Sequence, residues 1–317
     1  MAADSDDRGC EICAGITKRF PTKGPKPATD ALGIDVTRLD DGSVVLSQKT
    51  AVMKILESEG FLDSKPTPTP LPPGFTATPD YDPQIGGTPS RHFPNPSRTI
   101  GKLASLHVTR GDLLAPVSIL ATAITVWAPK HDRALARVLR YLNGTRDVSI
   151  TYKHGAADPL QGYADASFAN DLHHGTTGLA KSRTGVLLMI FGAFLCALSV
   201  RQTASALSTC ESEFAAFCAA TRIISPIHLT LWLIGDISDV PTRIMCDNAA
   251  AIAVIRRRRV AGRMRHVRVN ISFTVEAIAN RIISVHFCKT KLQFADYLTK
   301  APKIVDFRRC VDYTYGR

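Results

Sequence analysis

No apolar run in the 317 residues reads as both long and clean enough for a membrane span. The first residues, MAADSDDRG, are acidic and lack an apolar core, which excludes a secretory signal in this stretch. The eight cysteines fall at 10, 13, 196, 210, 218, 246, 288 and 310. Cys10 and Cys13 form a lone C-x-x-C, with no second pair and no paired histidines at zinc spacing. Cys196, Cys210, Cys218 and Cys246 lie in apolar runs and read as small core residues, and nothing suggests a secreted disulfide framework. There is no internal repeat. These absences lead to the expectation of an intracellular protein, cytoplasmic or nuclear, with no membrane partner.

What is abundant is positive charge: a net +11 and a pI near 9.4. Such a balance favours a polyanionic partner, with nucleic acid the first candidate. The length suggests about two domains, and 45% hydrophobic residues are enough for a sizeable core. In the first half, LGIDVTRLDDGSVVLSQ predicts a hairpin about Asp40-Asp41-Gly42, followed by a helix from Gln48 to Gly60. A proline-rich stretch at 64–98 reads as a linker or a crossing strap. Helical patterning returns over 99–145, with Leu135, Val138, Leu139 and Leu142 on one stripe.

The second half has a different grammar. Strands are predicted at 160–168, 185–191 and 194–200, then a long helix from about Ser208. A strand at 243–246, a helix, a basic loop at 256–268, a helix at 269–279, a strand at 282–287 and a final helix after Gln293 complete it. Three hairpin-linked strands followed by alternating helices and strands imply an α/β domain with a mixed sheet.

Four acids in this half are candidates for one site. Asp165 sits in the apolar strand GYADASFA, where a buried carboxylate is costly unless it is paired or binds metal. Glu213 opens the long helix in STCESEFAAF and shares a face with Ala216, Phe217 and Ala220. Glu211, two positions away, cannot share that face, so one of the two should point at the sheet; Glu213 is preferred, and Glu211 suits the helix dipole, with the reverse assignment left open. Asp247 follows a strand in MCDNAAAIAVI, and Asp296 lies in FADYLTK. Singly, each has a plainer account: an exposed strand acid, an acidic first turn, a helix N-cap or a solvated helical charge.

Taken together and in order, these motifs resemble the ribonuclease H family, and more closely the version found in copia-type LTR retrotransposons. GYADASFA, the stretch from RTGVLLMIFGAFLCALSV to CESEFAA, RIMCDNAAAIAV and FADYLTK carry the resemblance over about 160–302. Upstream, LGIDV, TPLPPG and RVLRYLNGT resemble the end of the reverse transcriptase and its connection. The resemblance implies a ribonuclease H-like five-stranded mixed sheet flanked by helices over 158–305. An incomplete thumb and connection region would precede it at 1–157, as a looser unit, and a tail would follow at 306–317.

The resemblance further implies that Asp165, Glu213, Asp247 and Asp296 hold two Mg²⁺ ions, or Mn²⁺ in their place. The reaction implied is hydrolysis of the RNA strand of an RNA–DNA hybrid. Arg256, Arg257, Arg258, Arg259, Arg263, Arg265, His266 and Arg268 form a basic run suited to a phosphate backbone, or equally to a solvated loop. Arg201, together with Lys181 and Arg183, is a further candidate for backbone contact, and His266 and His286 for proton transfer. The pattern departs from the family at Ser167 and Phe168, where an acid and a Trp are usual. It departs again at Arg110-Gly111-Asp112, where Arg-Pro-Asp is usual. The polymerase motif Tyr-Val-Asp-Asp does not occur in these residues, so polymerase activity is not expected of them.

Overall fold

The computed structural model describes residues 6–20, 29–77, 92–156, 159–172, 180–203, 205–206, 208–235, 240–257 and 268–317. An N-terminal helix α1 (Asp6–Arg19) precedes a small antiparallel sheet of β1 (Asp30–Ala31), β2 (Ile34–Arg38), β3 (Val44–Ser47) and β4 (Ser149–Tyr152). The predicted hairpin is β2–β3, with Val44 opposite Arg38. Helices α2 (Lys49–Glu59), α3 (Pro96–Ala104), α4 (Leu114–Ala121) and α5 (Pro129–Gly144) lie between β3 and β4. The stripe Leu135, Val138, Leu139 and Leu142 on α5 is fully buried, as its spacing requires.

The start of the proline-rich stretch is a strap laid along α5. Prolines offer no N–H, so the helix supplies donors to the strap's carbonyls. Asn143 Nδ2 donates to Ser64 O (2.8 Å), Arg140 Nε to Lys65 O (2.8 Å) and Arg137 Nε to Thr69 O (3.1 Å). Gly144 lets the two backbones meet, since a Cβ there would lie 2.8 Å from Pro66 Cβ.

The second sheet holds β5 (Gln161–Leu172), β6 (Ala180–Ile190), β7 (Ala193–Arg201), β8 (Thr242–Cys246) and β9 (Ile283–Phe287). Their spatial order is β7-β6-β5-β8-β9. The first three are antiparallel neighbours, and β5, β8 and β9 run parallel. Phe191 and Gly192, both at positive φ, make the two-residue turn between β6 and β7. Helices α6 (Thr209–Leu233), α7 (Ala249–Arg257), α8 (Arg268–Ala279) and α9 (Ile304–Tyr315) complete the chain. The mixed five-stranded sheet flanked by helices that the motifs implied is thus present.

Side chains on the strands alternate between two cores. Ala164, Val186, Leu188 and Ile244 face Phe214, Phe217 and Ile224 of α6. Tyr163, Leu187, Met189 and Phe194 share the other core with Leu120, Leu139, Leu298 and Phe307. The first half of the chain therefore covers one face of the second sheet instead of standing apart as a looser unit. A buried pair ties the halves together. Arg110 donates from Nε and Nη2 to Asp112 (2.9 and 2.7 Å), and Tyr141 and Tyr315 donate to the same carboxylate (2.7 and 3.0 Å).

Three expectations are corrected. Residues 306–317 are not a tail: they form most of α9, with Phe307, Cys310 and Val311 buried in the shared core. The helix expected around Asp296 is a single 3-10 turn (Asp296–Leu298), and the α-helix starts only at Ile304. Helix α6 is, by length and composition alone, apolar enough to cross a membrane. It packs on the sheet and carries buried Glu211 and Glu213, as a core helix does.

Candidate metal centre

Each of the first three acids is delivered by a local device. Asp165 lies midway along β5, opposite Gly185 of β6. On its other side β5 pairs with β8 in parallel register, Tyr163 beside Met245. Asp247 follows β8 directly, so it and Asp165 each lie two residues beyond that pair, at the same end of the sheet. The capping role expected of Asp247 falls to Asn248, whose side chain accepts from Ala251 N (3.0 Å), leaving Asp247 available to the site. Ser208 caps α6 by accepting from Glu211 N (3.2 Å). That sets the helix phase so that Glu213 points at the strands.

Oxygen atoms of Asp165, Glu213 and Asp247 all lie within 4.8 Å of one another. Asp165 is 6% exposed and Glu213 3%. Thr299 Oγ1 donates to Asp165 Oδ2 (2.7 Å). Burial pushes the Glu213 carboxyl well above the usual range, and the charges of Asp165 and Asp247 add to this. Burial also raises Asp165, with Asp296 next in effect, against the lowering influence of Thr299 and Lys300.

Asp296 is not among the three that converge. It sits on the 3-10 turn beside them, near enough to act on Asp165, and its Oδ1 is 2.5 Å from Lys300 Nζ. The donor set of the three suits a divalent cation. It is all oxygen, with Asp165 and Glu213 buried and Asp247 half-buried, and among the described residues no cation is bonded to Glu213. Buried like charges at this spacing repel, and a hard cation removes both that repulsion and the desolvation cost.

The basic candidates divide. Arg201 ends β7 half-buried, opposite Arg183 and at the Asp165 end of the sheet. Arg256 and Arg257 are exposed at the end of α7, and Arg256 donates to Val285 O (3.2 Å). Arg258, Arg259, Arg263, Arg265 and His266 lie outside the described residues, as does the side chain of Arg268. Arg183 is no surface contact: it is 1% exposed and donates to Ser118 Oγ (2.7 Å) and Ser199 Oγ (3.4 Å). His286 meets Ser284 Oγ (3.0 Å), and burial, then Arg243 and Arg256, keeps its pKa low. The side chain of Cys10 lies outside the described residues, and the C-x-x-C pair with it.

Sequence reasoning missed Thr299, Lys300 and Gln293. Gln293 is fully buried and donates to Ala164 O (2.9 Å), next to Asp165. Thr299 and Lys300 stand inside the very motif that drew attention to Asp296, and only their polarity signalled them.

No family model matches the chain. Among curated proteins it is 28% identical over 296 residues to the retrovirus-related Pol polyprotein from transposon RE2 of Arabidopsis thaliana, covering 92% of this chain and 19% of that one. It is 27% identical over 315 residues to the Pol polyprotein from transposon TNT 1-94 of Nicotiana tabacum, covering 96% and 23%. The chain thus spans about a fifth of the length of these relatives. RNase H1 from the halophilic archaeon Halobacterium salinarum NRC-1 aligns with a TM-score of 0.31 at 13% identity, over 44% of this chain and 94% of that one. That likeness is too slight to argue from.

Proposed function

We propose, from the premise that this chain belongs with the Pol polyproteins of copia-type retrotransposons, its homologues over 90–96% of its length, that it hydrolyses the RNA strand of RNA–DNA hybrids. The observation that carries this reading is the cluster of buried Asp165 and Glu213 with half-buried Asp247, just beyond the parallel pairing of β5 with β8. These three would hold Mg²⁺, with Asp296 the acid at hand for a second ion and Mn²⁺ able to stand in. When bound, such ions supply an activated water and charge neutralisation at the leaving oxygen.

The chain's own residues do the positioning. Thr299 fixes one oxygen of Asp165 and leaves the other for the site. The fold at Asn248 keeps Asp247 off the helix N-terminus. Arg201, Arg256 and Arg257, with the basic run beyond them, would track phosphates, and the 2′-hydroxyl would distinguish the RNA strand. Polymerase chemistry is not assigned to this chain.

A second reading, a nucleic-acid-binding remnant without cleavage, is favoured by one observation: Asp296 is bound to Lys300 and not gathered with the other three acids. A hybrid-cleavage assay in Mg²⁺ or Mn²⁺ separates the two. The enzyme reading expects cleavage by the intact chain and its loss in Asp247→Asn. Salt-sensitive hybrid binding with no cleavage by either protein would select the remnant.

A further inference from the structure

Two features of the turn at Asp296 belong together. Its backbone is pinned to the sheet from several sides. Ser167 Oγ donates to Thr299 O (3.0 Å), Ser199 Oγ to Leu298 O (2.6 Å), and Gln293 Nε2 to Ala164 O (2.9 Å). A Cβ on Gly185 would lie 2.7 Å from Thr299 Cγ2, so the turn presses directly on β6. With the backbone held this way, Asp296 can approach the other acids only by side-chain rotation. Its carboxylate, however, is already engaged by Lys300, four residues on.

The two partners differ in surroundings. The Lys300 side chain is 46% exposed and that of Asp296 14%. An ammonium released from this pair regains water at once, whereas the carboxylate stays within the site. Burial by itself would lower the Lys300 pKa, but its bond to Asp296 and the charges of Asp296, Asp165 and Asp247 hold it above its ordinary value. The ammonium therefore lies in the field of three of the four acids.

We infer that Lys300 is a built-in counter-ion that holds Asp296 in reserve, so that one divalent cation binds at Asp165, Glu213 and Asp247 and a second binds only by displacing the Lys300 ammonium from Asp296. The inference rests on the metal-site reading above and adds to it an order of filling and a residue that sets the second affinity. Lys300 acts through Asp296, as a positioning residue. Occupancy of the second position would then follow free divalent concentration more steeply than that of the first.

The test is Mn²⁺ binding to the full chain, followed by the electron paramagnetic resonance of free Mn²⁺ and by calorimetry. In the wild type a tight and a weak step are expected, the tight one lost in Glu213→Gln. Lys300→Gln should tighten the weak step about twofold to fivefold, the range expected for releasing a carboxylate from a partly exposed ion pair. Lys300→Arg should behave like the wild type, and Lys303→Gln, the same charge change at an exposed residue, should do little. In an Asp296→Asn background, Lys300→Gln should lose its effect, since the cycle isolates the pair. Equal tightening in both backgrounds, or none in either, would overturn the inference while leaving the metal site intact. Absence of any Glu213-dependent Mn²⁺ binding would overturn the functional reading and this inference with it.

Discussion

At the residue scale the site carries a pH signature of unusual sign for carboxylates. Glu213 and Asp165 have folded pKa values above their unfolded ones, burial first and neighbouring acids second. Without metal, the folded state holds protons that the unfolded state has released. The stability this gives is fully present below the unfolded carboxylate values, about 4, and is lost as pH rises through the folded values. Glu213→Gln should therefore flatten the decline of stability with rising pH in EDTA, and above neutrality should melt at an equal or higher temperature. Calorimetry at several pH values checks this; a steeper decline in the mutant would count against the buried charge. Asp112 behaves oppositely. Burial would raise its pKa, but Arg110 and the Tyr141 and Tyr315 hydroxyls hold it below the usual range. Its contribution is present above the unfolded value and lost as pH falls through the folded one. Asp112→Ala strands a buried guanidinium, which should cost about 3–5 kcal/mol in urea unfolding at neutral pH.

At the element scale the critical contact is between the 3-10 turn at Asp296 and strand β6. Gly185 stands opposite Asp165, and an added Cβ would meet Thr299 Cγ2 at 2.7 Å, Leu298 Cβ at 2.9 Å and Ala295 O at 3.0 Å. Backbone is among those atoms, so the turn must shift as a unit. Gly185→Ala should cost about 1–3 kcal/mol and weaken Mn²⁺ binding as well, because the shifted turn carries the Thr299 hydroxyl away from Asp165. Unfolding and Mn²⁺ titration of the same mutant check both; lower stability with unchanged metal affinity would show that the turn does not orient Asp165. This glycine was visible in the sequence as part of RTGVLL, but its reason was not. The partner that demands it lies more than a hundred positions downstream.

At the scale of the whole molecule the two halves share one core. Tyr163, Leu187, Met189 and Phe194 pack with residues of α4, α5 and α9. A fragment beginning at residue 158 would expose that face. It should be less stable than the full chain and bind an apolar-surface dye such as ANS. An isolated fragment that melts with the full chain would instead support an independent second domain. Charge acts at the same scale: with a net +11, hybrid affinity should fall steeply with salt. Neutralising Arg256 and Arg257 should lower the slope of log K against log salt by about 1 for each phosphate that the protein then leaves to its counterions. Fluorescence anisotropy across a salt series reads that slope.

The sequence by itself determined the strand and helix order of the second half, because apolar period and turn chemistry are local properties. It also offered Asp165, Glu213, Asp247 and Asp296 as candidates, but left Glu211 as an alternative to Glu213, because both prove buried on the helix and only the distances to Asp165 and Asp247 separate them. The tertiary structure alone decided three things. It wound Asp296 into a 3-10 turn packed on Gly185, a contact between distant positions that no local pattern encodes, although its i,i+4 pairing with Lys300 is itself local. It moved the capping duty from Asp247 to Asn248, which hydrogen-bond geometry decides and residue preference does not. And it drew residues 306–317 and the first half into one core around a buried Arg110–Asp112 pair, because an open apolar sheet face must be covered by whatever chain is within reach.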